Sequence, residues 1–297
     1  MRIVSKKTLL LFFLPGAIFM GLFLFYPLIH LAYDSFFSMG VSGASKFVGL
    51  TNYIKAFTTS SFLQPLENTI IYVLISVSVE FVLGLAFALL FEYDYKGNKI
   101  VRSLMMTPLM IAPLVSGLIW KFMMSPQFGI LNQVLVHLHI INNVNSILWL
   151  ADQRWSLLSC CIADIWLNTP FMMLMSLSAL QGLDVQLLEA AKIDGANLWQ
   201  QIFRIKIPII KPVLLTAVAL RVTDAARSFD IIYALTRGGP NNSSQVISTV
   251  IYQTLVSYNK VGFASAMAVI FVLILLIFTL VFMQSLWNPK KKAKEGL

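Results

Sequence analysis

Charge is scarce in this chain. Asp, Glu, Lys and Arg make up 12% of its 297 side chains, where an ordinary soluble domain carries about 25%. With 58% hydrophobic side chains and a mean hydropathy of +0.79, that scarcity excludes both a soluble globular domain and a disordered segment. Cysteine is nearly missing. The two present, Cys160 and Cys161, are neighbours in an apolar run, where adjacent helical positions point to different faces, so they read as packing residues and not as a bridge. His30, His137 and His139 form no His-Glu-x-x-His pattern and have no cysteine cluster beside them, so no metal site is expected. No Gly-x-x-x-x-Gly-Lys loop is present to cradle a nucleotide phosphate, and no nucleophile–base arrangement stands out. Catalysis by this chain itself is therefore not expected.

Long apolar runs are what the sequence has. A helix needs roughly 20 predominantly apolar residues to cross the hydrocarbon core of a bilayer. Six stretches qualify, approximately Leu9–Leu31, Asn68–Phe91, Leu104–Met124, Trp155–Leu180, Pro212–Leu235 and Phe263–Leu286. The first is longer than the apolar part of a secretory signal and no small-x-small cleavage site follows it, so it reads as a retained span. The expectation is an all-α membrane protein of six transmembrane helices forming one domain over residues 1–297. Its outer loops have room for short helices lying along the membrane surface.

The basic residues sort by membrane side. With the N-terminus inside, the inner segments hold Arg2, Lys6, Lys7, Lys96, Lys99, Arg102, Lys192, Arg204, Lys206, Lys211, Lys290, Lys291, Lys292 and Lys294. The longer outer loops hold only Lys46, Lys55, Lys121, Arg154, Arg237 and Lys260. That bias places both termini in the cytoplasm and explains the formal charge of +9 without nucleic acid.

Between the fourth and fifth runs, residues 183–208 follow a helix–turn–helix grammar. Asp184 suits an N-cap, Val185 to Ile193 are mostly helix formers, and Gly195 supplies the left-handed position that stops a helix. Leu198, Trp199, Ile202 and Phe203 then recur at helical spacing, before Pro208 interrupts the chain ahead of the next span. An apolar stripe on a short cytoplasmic helix requires a partner surface.

The run Glu189-Ala190-Ala191, then Asp194-Gly195-Ala196, Phe203, Ile205 and Ile207-Pro208, resembles the loop signature of permeases from binding-protein-dependent ATP-binding-cassette importers. A second run, Phe229 to Thr236 with Gly238-Gly239-Pro240 and Asn242-Ser243-Ser244, resembles the carbohydrate branch of that family, the maltose, raffinose and glycerol-phosphate type. The resemblance implies a non-catalytic subunit of a bacterial inner membrane that pairs with a second, related permease. It implies two ATPase subunits, which hold the ATP and Mg that this chain does not, and an extracytoplasmic binding protein that delivers a sugar. It also implies that Glu189, Ala190, Ala191, Asp194, Gly195 and Pro208 belong to the segment that docks on an ATPase subunit.

Charge inside a bilayer costs on the order of 3 kcal/mol on insertion scales, so each intramembrane charge is a candidate for function. In the fifth run, Arg221, Asp224, Ala225 and Ser228 share a helical face, and in the fourth Asp164, Asn168, Phe171 and Met175 do likewise. Two such faces meeting at the midplane would offer hydrogen bonds to hydroxyls and an aromatic platform to a sugar ring. The alternative is an internal ion pair, Arg221 with Asp224 or Asp164, that only ties helices together. Glu80 in the second run reads as a structural partner, and Arg227 and Asp230 as outer-end residues able to snorkel. An ion-coupled carrier using Asp164, Asp224 or Glu80, and a membrane-embedded enzyme, are the rival readings.

Overall fold

The computed structural model describes residues 6–39, 45–93 and 95–286. The basic residues Arg2, Lys290, Lys291, Lys292 and Lys294, on which part of the inward bias rests, lie outside them. In chain order the elements are α1 (Lys6–Met20), a π turn (Gly21–Phe25), α2 (Tyr26–Asp34), β1 (Phe37–Met39), β2 (Ser45–Phe47), α3 (Thr51–Thr58), α4 (Ser60–Phe91), α5 (Asn98–Met106) with a 3₁₀ turn (Thr107–Met110), α6 (Pro113–Met123), α7 (Ile130–His137) and α8 (Gln153–Gln181). There follow α9 (Val185–Ile193), α10 (Leu198–Gln200), a π segment (Gln201–Lys206), α11 (Ile207–Ala226), α12 (Asp230–Leu235), α13 (Ile247–Tyr252) with a π turn (Gln253–Ser257), and α14 (Val261–Leu286).

Among the described residues four helices are long and apolar enough to cross a membrane, Leu10–Asp34, Ser60–Phe91, Gln153–Gln181 and Val261–Phe282. The other two expected spans are not single rods. Asn98–Met110 and Pro113–Met123 meet at a bend of 101°. Pro113 is the cause, since the residue before a proline is driven out of the helical region, and Ala112 sits at φ −63°, ψ 139°. Counted as one span, the pair brings the total to five. The run 212–235 is also divided: α11 stops at Ala226, and Asp230 opens α12 after a three-residue break.

Pro208 does not interrupt its helix, contrary to expectation. The chain is helical from Leu198 to Ala226, because the π segment widens the turn just ahead of the proline and accommodates the ring.

By contact density the chain forms two compact units. One comprises Met1–Leu63 with Val250–Ile274. In it β1 and β2 pair antiparallel with Phe37 opposite Phe47, a hairpin that the sequence reading lacked. Asn52 holds the hairpin's approach by donating to the carbonyls of Ser35 (2.9 Å) and Phe37 (3.0 Å). A Cβ on Gly262 would lie 1.7 Å from the Phe37 carbonyl oxygen, so only glycine lets the start of α14 lie against this strand. The apolar side chains of α1 and α2 are largely exposed on the isolated chain.

The second unit, Gln64–Thr249 with Leu275–Leu297, contains the polar site. Its core is where α4, α8 and α11 meet, with Ala88, Phe91, Met173, Leu177, Leu180, Ile210 and Leu214 buried together. The crossing of α4 and α8 is backbone-close at Gly84, whose missing Cβ would lie 2.5 Å from Cβ of Met172 and 2.8 Å from the Met173 nitrogen. Beside them, α12 packs on α6, where Gly117 leaves room for Ala234.

Candidate functional site: a charged cavity at the middle of the helix bundle

Helix α4 makes a series of polar contacts that locates the site. Asn68 donates to the carbonyls of Asn242 (3.1 Å) and Gln245 (2.9 Å) at one end. Four residues on, Tyr72 donates to Ser228 Oγ at 3.2 Å, and at the far end Glu92 accepts two 2.7 Å bonds from Lys206. Glu80 lies midway, about 18 Å from either end at 1.5 Å per residue.

There the Arg221 side chain of α11 is clamped between two helices. Its Nη2 donates to Asp164 Oδ2 of α8 at 2.5 Å and to Glu80 Oε1 at 3.0 Å, and its Nε lies 2.7 Å from Glu80 Oε2 in a close charge contact that is not aligned as a hydrogen bond. Glu80, Asp164 and Arg221 are 0%, 2% and 3% exposed. Asn168, one turn along α8, donates to Asp164 Oδ1 at 2.8 Å and occupies that oxygen. Arg221 therefore serves as an internal tie among three helices. Asp224, expected to share the pair, is more distant at 3.6 Å and is an exposed side chain.

Beside the clamp lies a cavity of about 380 Å³, lined by Pro113, Asp164, Leu167, Asn168, Arg221, Asp224, Arg227, Ser228, Phe229, Asp230 and Ile231. That volume is within the range of small-molecule sites. Of the six residues expected on the path, Asn168, Arg221, Asp224 and Ser228 line it. Ala225 does not: it is 1% exposed on the inward side of α11. Phe171 is half-buried one turn beyond Asn168 and is not among the lining residues.

Arg227, Phe229 and Asp230, which the sequence placed at an outer end or left aside, line the cavity because α11 breaks at Arg227. A helix can break inside a membrane only where the freed backbone groups find partners. Here the Ser228 amide donates to the Ala225 carbonyl (3.0 Å) and the Ser228 carbonyl accepts from Ser248 Oγ (2.5 Å). Only the density of polar residues from Asp224 to Asp230 marks this break in the sequence; no proline or glycine does. A second cavity of about 550 Å³, between α4, α5, α6 and α8, is lined by apolar and aromatic side chains with Thr169, and no charged group faces it. It lacks the polar contacts that a hydroxyl-rich solute requires.

The helix–turn–helix segment forms with the local chemistry expected of it. Asp184 accepts from the Gln186 amide at 2.9 Å as the N-cap of α9. Gly195 adopts φ +81°, its amide bonds the Lys192 carbonyl at 3.1 Å, and the Ala196 amide bonds the Ala191 carbonyl at 2.9 Å, which together make a Schellman stop. Asn197 and Gln200 then exchange side-chain-to-backbone bonds of 2.9 Å, a capping box that starts the next helix. Glu189, Ala190, Asp194 and Pro208 are exposed and Ala191 is buried. Ile193 (86% exposed), Trp199 and Phe203 leave apolar surface open, while Ile202 turns inward.

Comparison with known proteins gives consistent matches. The model for "Binding-protein-dependent transport system inner membrane component" matches residues 80–292, a stretch that holds the helix–turn–helix and every residue lining the cavity. The trehalose/maltose transport system permease protein MalF of Thermococcus litoralis is 36% identical over 240 residues, 80% of this chain and 79% of that protein. The sulfoquinovosyl glycerol transport system permease protein SmoG of Agrobacterium fabrum is 33% identical over 86% of this chain and 82% of its own length. Among solved structures, a bacterial ABC transporter that imports the acidic polysaccharide alginate has a chain that superposes with a TM-score of 0.82 at 23% identity, covering 95% of this chain and 96% of its own, which is a likeness of fold. With its broken helices, its buried charge clamp and a family match over most of its length, this chain belongs to the inner-membrane components of binding-protein-dependent transport systems.

Proposed function

We propose that this chain is the permease subunit of an ATP-driven importer and forms, with a second permease, the path for a sugar or oligosaccharide delivered by an extracytoplasmic binding protein. The observation that carries the reading is the cavity beside the Arg221 clamp, where Asn168, Asp224, Arg227, Ser228 and Asp230 stand round a space large enough for a small solute beside the aromatic ring of Phe229. Carboxylates and guanidinium groups engage hydroxyls through paired hydrogen bonds, and an aromatic face suits a sugar ring. The two named relatives above, a trehalose/maltose and a sulfoquinovosyl glycerol permease by name, support the sugar assignment.

In this reading α5–α6 and α11–α12 each serve as a span interrupted at the cavity, giving six crossings in all, and both termini are cytoplasmic by their basic flanks. The segment 183–208 is then the cytoplasmic coupling loop. Its exposed Ile193, Trp199 and Phe203 supply the apolar contact, and Glu189 and Asp194 the charge, for one of two ATPase subunits that hold ATP and Mg. A solved alginate importer in complex with a pentasaccharide-bound periplasmic protein, matched by fold at TM-score 0.80, supports a binding-protein partner. Of the three carboxylates an ion-coupled carrier would use, Glu80 and Asp164 are both clamped on Arg221, which leaves it Asp224 alone.

The test is uptake of a neutral disaccharide into proteoliposomes holding the complete assembly. Uptake is expected to require ATP, the ATPase subunits and the binding protein together. Uptake driven by a proton or sodium gradient through the permeases alone would overturn the assignment.

A further inference from the structure

The cavity also carries a statement about which solutes it admits, one that rests on the assignment above. Two exposed carboxylates, Asp224 and Asp230, line it against one exposed guanidinium, Arg227, while Arg221 is closed in behind the wall by Glu80 and Asp164. Each cation already faces a carboxylate, Arg221 in the buried clamp and Arg227 at the exposed wall. Arg221 is held by Glu80 and Asp164, and Arg227 lies 3.4 Å from Asp224 Oδ1 while its Nε donates to the Thr223 carbonyl.

The backbone does not reverse the balance. The N-terminus of α6 at Pro113 brings a partial positive charge to the cavity and the C-terminus of α11 at Ala226 a partial negative one of similar size. The N-terminus of the short, six-residue α12 lies at Asp230 and offsets only part of that one carboxylate's charge. The next cation on these helices, Lys121 of α6, donates to the Ala234 carbonyl toward the other end of α12.

We infer that this chain's wall of the path admits neutral, hydroxyl-rich solutes and excludes anionic ones such as uronates and sulfonated sugars. Like charge in a confined site costs an entering ion directly, whereas a neutral polyol uses the same carboxylates as hydrogen-bond acceptors. The inference separates this chain's solute from those named for some of its matches, an acidic polysaccharide and a sulfoquinovosyl derivative.

The test uses Ser228→Cys in the complete importer, with Cys160 and Cys161 left in place because both are buried. The rates of modification by a trimethylammonium-bearing and a sulfonate-bearing methanethiosulfonate are measured, each divided by its rate with a free thiol. With Asp224 and Asp230 at the wall against Arg227 alone, screened at 0.1 M salt, the cationic reagent is expected to be favoured about two- to threefold. Asp224→Asn with Asp230→Asn should remove that preference. Equal rates, or faster reaction with the sulfonate, would overturn the inference whatever the importer carries. Protection of the cysteine by trehalose but not by an oligouronate supports it, and the reverse overturns it. A cationic preference with no protection by any sugar would uphold the exclusion of anions and count against the sugar assignment alone.

Discussion

The Arg221 clamp sets a quantitative expectation. Arg221→Met removes the one cation between two carboxylates that are 0% and 2% exposed, and the Met side chain preserves much of the volume. Breaking a buried pair by deleting one partner costs about 3–5 kcal/mol, because the charge left behind keeps its desolvation penalty and loses its counter-ion. Two carboxylates are stranded here, and Asn168 can satisfy only one oxygen of one of them. For a chain of this size that loss corresponds to a fall of roughly 6–20 °C in the unfolding midpoint. The triple variant Glu80→Gln, Asp164→Asn, Arg221→Met keeps the shapes and removes every charge, so it should recover most of the loss, as uncharged replacements of buried ion pairs often do. The assay is thermal unfolding of the detergent-purified assembly, followed by size-exclusion of the folded fraction. An Arg221→Met protein as stable as the parent, or a triple variant no better than the single, would refute the view of Arg221 as a structural tie and return it to the solute.

Three further outcomes are expected. A cysteine at Ser228 should label with a small hydrophilic thiol reagent while one at Ala225 should not, since Ala225 is 1% exposed; equal labelling would mean that α11 is rotated from its position here. Gly84→Leu should lower folded yield in the membrane by at least several-fold, because even a Cβ there would lie 2.5 Å from Met172 and overpacking costs about 1–3 kcal/mol or more; a normal yield would refute the close crossing of α4 and α8. Gly195→Val forces a β-branched residue to φ +81° although no atom lies within 4 Å of the new Cβ, so uptake should fall while the binding protein still binds its sugar; full uptake in this variant would sink the coupling role of the loop.

Much of this protein is legible in its residues because the bilayer allows few solutions. Backbone polar groups in hydrocarbon must be satisfied within a helix, so the long apolar runs of α4, α8 and α14 could be bounded to within a few residues, apart from the extra N-terminal turns of α4. The turn at Gly195 and the cap at Asp184 were equally plain, since both depend on chemistry within a few residues. The break at Arg227 was not, because its partners Tyr72 and Ser248 come from remote parts of the chain. Pro208 misled for a related reason: a π segment ahead of a proline is a local rearrangement that no single residue announces.

The sequence alone determined that the chain lives in a membrane, where its long unbroken helices α4, α8 and α14 run and which loop resembles a docking segment, because those properties follow from hydropathy, capping and local spacing. Tertiary structure decided the partner of each buried charge. Arg221 sits three residues from Asp224 but spends its guanidinium on Glu80, 141 positions away, and Asp164, 57 away. Asp224, left exposed beside Arg227, faces the cavity instead. The physical reason is that helical periodicity fixes which side of a helix a residue occupies, whereas which helix lies opposite depends on close crossings such as the one at Gly84.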